Sequence, residues 1–150
     1  MFQESPDALL TNLLDTLEEL VKNTDVIDQF RLELVLKYLY SDSLQKRVKG
    51  VNDLNYLLKK TLRKKSFYSV SSEDKTSMLE PGFMVNWLLE KGIVEYVLGG
   101  KMHLEVVQRT GHVFGFLARQ SKFTKEHLDL LWDSCMVCFL RCFHGDFCVE

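Results

Sequence analysis

The chain has 150 residues, 46% apolar and 27% charged, with a formal net charge of −2. Such values fit one folded domain or part of a larger one, and exclude a chain drawn as a whole to nucleic acid or anionic membrane. Two prolines and eight glycines favour long helices over many tight turns. No apolar run reaches the roughly 18 residues that span a bilayer. The start, MFQESPDALL, lacks the basic opening and apolar core of a signal peptide. A cytoplasmic or nuclear location with reduced thiols is therefore expected.

The spacing predicts a first helix over residues 6–22. Ser5 is its N-cap and Pro6 takes the first helical position, where a missing N–H costs nothing; Asp7 complements the helix dipole. Leu9, Leu10, Leu13, Leu14, Leu17, Leu20 and Val21 make a wide apolar face. Such a face serves either a partner or, far more commonly, the next helix. A second helix follows over 26–40, with Ile27, Phe30, Leu34, Val35, Tyr38 and Leu39 as its buried side. The short turn Ser41-Asp42-Ser43 implies an antiparallel neighbour. The third helix, 44–63, repeats Leu44, Val48, Val51, Leu54, Leu58 and Leu62 at helical spacing.

Charge is unevenly divided. Residues 1–33 carry eight acids and two bases, whereas residues 37–65 carry nine bases and two acids. The basic stretch from Lys59 to Lys65 reads either as a surface for an acidic or nucleic-acid partner or as a helix end facing the acidic first helix. The second reading is preferred, because only Tyr56 lies near the basic end to stack on bases. Nucleic acid is not an expected partner.

Periodicity fails over 66–80, a serine- and charge-rich stretch that reads as a long surface loop. Pro81 opens a helix carrying Met84, Val85, Trp87, Leu88 and Leu89, which ends at Gly92 in a C′ position; Trp87 is expected in the core. A short helical piece, 93–98, ends at Gly99-Gly100. One long helix is then expected over 102–119, with Leu104, Val107, Val113, Phe114 and Leu117 along its stripe. Gly111 and Gly115 share a face of it, where another helix could approach closely. Thr124 caps the last helix, which carries Leu128, Leu131 and Trp132.

No catalytic device appears. His103 and His112 fall on opposite sides of one helix, and no nucleotide-binding, zinc-protease or nucleophile-elbow motif occurs. All four cysteines lie near the end: Cys135, Cys138, Cys142 and Cys148, with His144 among them. Cys135 and Cys138 have the gap of a zinc half-site that Cys142, His144 or Cys148 could complete. Against zinc, Cys135, Cys138 and Cys142 also recur at i, i+3, i+7, the spacing of one buried helical face, inside the apolar run MVCFLRCF. No cofactor is expected.

Two segments share the pattern of one known family. The first is LVLKYLYSDSLQKRVKGVNDLNYLL, with its core Lys46-Arg47-Val48-Lys49-Gly50-Val51-Asn52-Asp53-Leu54. The second runs from Met84 to Trp132, with the turn Lys91-Gly92-Ile93, the Phe116-Leu117 helix end and the closing Leu130-Leu131-Trp132. Both resemble the armadillo-like helical region of very large, fat-facets-type ubiquitin-specific proteases, and the resemblance implies an all-α, armadillo/HEAT-like fold of about six helices in antiparallel pairs. It implies a non-catalytic scaffold or substrate-docking segment that binds proteins and forms part of a larger polypeptide. The family's nucleophile box and His box are absent, so no catalytic residue is carried over. Residues 1–134 read as the repeat domain. Residues 135–150 read as a Cys-rich tail departing from the family, as a fragment or truncated product would. The alternative is a free-standing helical adaptor.

Overall fold

A computed structural model describes residues 6–20, 25–67, 79–99 and 103–143. Among the described residues the regular elements are eight helices: α1 Pro6–Leu20, α2 Asp25–Leu39, α3 Leu44–Phe67, α4 Pro81–Glu90, α5 Ile93–Leu98, α6 Leu104–Arg109, α7 Gly111–Arg119 and α8 Lys125–Phe143. The all-α, armadillo-like expectation holds, with more helices than the sequence suggested.

Cross-helix bonds give the pairing directions. Tyr38 donates to Asp7 while Arg31 meets Asp15 and Glu18, so α1 and α2 are antiparallel. Asp28 meets Lys60 while Tyr38 and Leu39 meet Gly50, so α2 and α3 are antiparallel too. Helix α3 is the hub and also packs against α4, α6 and α7. Its buried side chains Val51, Leu54, Leu57 and Leu58 join Leu39, Met84, Leu88, Ile93, Phe116 and Leu117 in one core. Trp87 is buried there as expected.

The α2–α3 crossing is tight because Gly50 has no side chain. A Cβ there would lie 3.0 Å from both the Leu39 amide nitrogen and the Tyr38 Cβ. Gly92 joins α4 to α5 with φ 58°, a left-handed conformation that suits glycine. Tyrosine hydroxyls then bind carbonyls at helix ends: Tyr96 donates to Leu39 O (3.1 Å) and Tyr40 to Lys91 O (2.8 Å), with their rings 4.2 Å apart. These contacts fix the α4–α5 joint against the end of α2.

Several expectations change. The helix expected over 102–119 is two helices, separated at Thr110. The Thr110 hydroxyl donates to Val107 O (2.6 Å) and the Asn55 amide donates to Arg109 O (2.8 Å). Side chains thus enter the backbone ladder, a recognised cause of helix breaks. The buried line is Val106, Thr110, Val113 and Leu117, with Phe116 beside it; Leu104 is exposed. No neighbour lies within 4 Å of a Cβ built on Gly111 or Gly115, so the expected close approach there is absent and occurs at Gly50 instead. Helix α3 passes Arg63 and runs to Phe67, into the stretch read as loop; residues 68–78 lie outside the described residues. Of the apolar face expected on α1, Leu14 is buried whereas Leu9, Leu13 and Leu17 are exposed; Phe30 of α2 is exposed as well.

Candidate functional site

The charge asymmetry of the sequence becomes a three-helix ion network. The Lys60 ammonium of α3 binds Glu18 of α1 and Asp28 of α2 (3.2 Å to Asp28), and Arg31 bridges Asp15 (2.7 Å) and Glu18 (3.0 Å). Asp28 is fully buried. Burial lowers the Lys60 pKa, but its bonds to Glu18 and Asp28 prevail and raise it. Part of the basic run is therefore internal, used to hold α1 down. Lys59 and Arg63 remain exposed on α3.

The last helix is positioned by its N-terminus. Thr124 Oγ1 accepts from the His127 amide (3.5 Å), and His127 Nδ1 accepts from the Thr124 amide (3.2 Å). This is a reciprocal capping box with histidine in the place usually held by Glu or Gln. The Nδ1 acceptor role leaves the neutral ring's proton on Nε2, which lies 3.9 Å from Glu95 Oε1. Buried Ser134, within hydrogen-bond distance of Leu98 O (2.6 Å) and Leu130 O (2.8 Å), ties α8 to the end of α5.

So anchored, α8 turns Leu128, Trp132 and Met136 outward, 53%, 69% and 42% exposed. They recur at i, i+4, i+8 and form one stripe. Helix α1 shows the same spacing in Leu9, Leu13 and Leu17, at 55%, 55% and 38% exposure. Isolated exposed leucines are ordinary; two ordered stripes on the first and last described helices are candidate interaction faces. Sequence periodicity found their residues without telling which neighbour covers them, or whether any does.

The cysteine cluster is only partly described. Helix α8 runs through Cys135, Cys138 and Cys142 to Phe143, with Cys135 exposed. The side chains of Cys138 and Cys142, and the whole of His144 and Cys148, lie outside the described residues. Among the described residues no three His, Cys, Asp or Glu side chains converge as metal ligands. His103 acts locally, its Nδ1 accepting from the Glu105 amide (3.2 Å) at the start of α6. His112 lines an open cleft between α3 and α6–α7 with Asn52, Asn55, Tyr56, Lys59, Gln108, Arg109 and Gly111. Among the described residues no helix is long and apolar enough to cross a membrane.

Residues 25–136 match the sequence model of the UBP24/USP9X/USP9Y ARM repeat. The chain is 25% identical over 134 residues to ubiquitin carboxyl-terminal hydrolase 34 of Homo sapiens, covering 87% of this chain and 4% of that protein. It is 28% identical over 119 residues to ubiquitin carboxyl-terminal hydrolase 9X of Mus musculus, covering 77% of this chain and 4% of that protein. It is 24% identical over 129 residues to the probable ubiquitin carboxyl-terminal hydrolase FAF of Drosophila melanogaster, covering 83% of this chain and 4% of that protein. The chain thus spans a small part of the length of these relatives. No solved structure matches it significantly. The matched region is an ARM repeat and not a catalytic domain, and the chain belongs to the UBP24/USP9X/USP9Y ARM-repeat family, a helical segment related to large ubiquitin carboxyl-terminal hydrolases.

Proposed function

We propose that this chain is a non-catalytic scaffold and docking segment serving ubiquitin removal. The isopeptide chemistry would belong to a cysteine nucleophile outside the 150 residues, and the setting is the cytoplasm or nucleus. The observation that carries this reading is the pair of outward stripes, Leu9-Leu13-Leu17 and Leu128-Trp132-Met136. A stacked helical array buries one repeat's apolar face against the next, and repeats within it expose such faces when viewed singly. Further helices of a larger polypeptide would cover them. The fold, an all-helical body with a hub helix and open flanks, supports docking of other proteins better than it supports chemistry.

Two measurements test this. The isolated chain, incubated with a fluorogenic ubiquitin C-terminal amide, should release no fluorophore; turnover would overturn the non-catalytic reading. An antibody against residues 103–132, used on source lysate, should detect a polypeptide many times the 17.5 kDa of this chain. A single band near 17.5 kDa would favour a free-standing adaptor instead.

A further inference from the structure

The cleft between α3 and the α6–α7 break has a volume of about 630 Å³ and no carboxylate among its lining residues. One wall is a polar stripe of α3: Asn52, Asn55, Tyr56 and Lys59 stand at i, i+3, i+4, i+7. Arg63, one turn on and exposed, continues it. The opposite wall offers Gln108, Arg109, Gly111 and His112. Arg109 is engaged by Glu105 at 2.9 Å, whereas Lys59 meets no carboxylate among the described residues. Tyr56 is 53% exposed, although a core tyrosine hides most of its ring. Gly111 presents bare backbone, with nothing within 4 Å of where its Cβ would be.

Asn55 ties the two walls together. It is 93% buried at the cleft, its amide nitrogen donates to Arg109 O, and its Oδ1 has no hydrogen-bond donor. That oxygen is itself closed off from solvent, so Asn55 shapes the cleft by holding its Arg109 wall.

We infer that this cleft binds a short extended acidic segment of a partner protein. Carboxylates of the segment face Lys59, Arg63 and His112, while its main-chain N–H and C=O groups pair with the exposed amides of Asn52 and Gln108. From Asn52 to Arg63 the stripe is about 16 Å long, which matches about five residues of extended chain. Two exposed side-chain amides and a single tyrosine fit a peptide backbone better than stacked bases. The inference rests on the docking role proposed above and names the chemistry of one docking site.

The test is fluorescence anisotropy of a fluorescein-labelled five-glutamate peptide with the full chain, compared with five-serine and oligo-dT probes of similar label. The glutamate peptide should bind and the serine peptide should not. Lys59→Glu should weaken glutamate-peptide binding at least tenfold, and Arg63→Glu should weaken it similarly. Lys37→Glu makes the same charge change on the exposed side of α2 and should alter binding less than twofold. Circular dichroism would confirm that each variant is folded. Absent binding, or equal loss in Lys37→Glu and Lys59→Glu, would overturn the inference. Oligo-dT binding more tightly through the same lysine would overturn it in favour of nucleic acid. None of these results bears on hydrolysis or native size, so the docking inference can fail while the scaffold reading stands.

Discussion

Gly50 and Gly111 are both helical glycines, yet opposite outcomes are expected on adding one methyl group. In an open helix, Gly→Ala stabilises by about 0.5–1 kcal/mol through helix propensity and lost unfolded-state entropy. Gly111 and Gly115 have open space around them, so alanine at either should raise the midpoint of urea unfolding. At Gly50 a Cβ meets the Leu39 backbone nitrogen at 3.0 Å. Backbone cannot step aside, and overpacking typically costs about 1–3 kcal/mol. Gly50→Ala is therefore expected to lower stability by about 1 kcal/mol net, against the propensity trend; a higher midpoint would show that α2 and α3 separate easily. A residue-scale reading of sequence cannot rank these glycines, because their i, i+4 spacing or neighbours in the chain do not reveal what approaches from another helix. The capping of α8 was more legible. Thr124 was recognisable as a cap from its position before an apolar run, but His127 as its reciprocal partner departs from the usual Glu or Gln. Thr124→Ala should cost about 1 kcal/mol, measured by the same urea titration.

At the scale of helices, the ion network decides how α1 is held. Leu14 is the one buried leucine among the described side chains of α1, so apolar packing gives this helix a weak hold. Its acids supply the rest through Arg31 and Lys60. Lys60→Met keeps the stem but leaves Glu18 and the fully buried Asp28 without that cation. The expected loss is about 3 kcal/mol, as for removal of one member of a buried pair. Alkaline titration reports the same interface. Burial and the bond to Asp7 push the Tyr38 hydroxyl up to about 12 from 10.0, and Lys60 is raised from 10.5. In each case the folded chain keeps a proton that the unfolded chain releases. The stability so gained is complete below the unfolded pKa and is lost as pH rises through the folded one. Thermal stability should therefore fall from about pH 10 upward, and Tyr38→Phe should flatten that decline. An unchanged slope in Tyr38→Phe would exclude Tyr38 as a source. Helices α3 and α4 were readable from sequence because apolar residues recur along each, whereas α2 mixes its sides, with Val26 and Phe30 exposed and Asp28 buried. The break at Thr110 was not, since it depends on Asn55, far away in the chain, entering the ladder at Arg109.

For the whole molecule, the hub helix α3 gathers the core, and the first and last described helices turn leucine and tryptophan outward. The opposite charges of the two N-terminal segments were legible as facing surfaces, and the network shows this for Lys60, whereas Lys59 and Arg63 stay exposed. The outward side of α8 was not legible: Leu128 and Trp132 have the spacing of a packed face, and only the anchoring of His127 and Ser134 shows which way that face points. On the function proposed above, these stripes are interaction faces awaiting a neighbour. Sedimentation equilibrium of the purified chain across a wide concentration range tests it most directly, beside Trp132→Glu, an exposed change expected to shift folding stability by no more than about 0.5 kcal/mol. The predicted result is a mass that rises with concentration for the parent chain and stays monomeric for Trp132→Glu at equal helix content. A parent chain that remains a monomer throughout would contradict the claim.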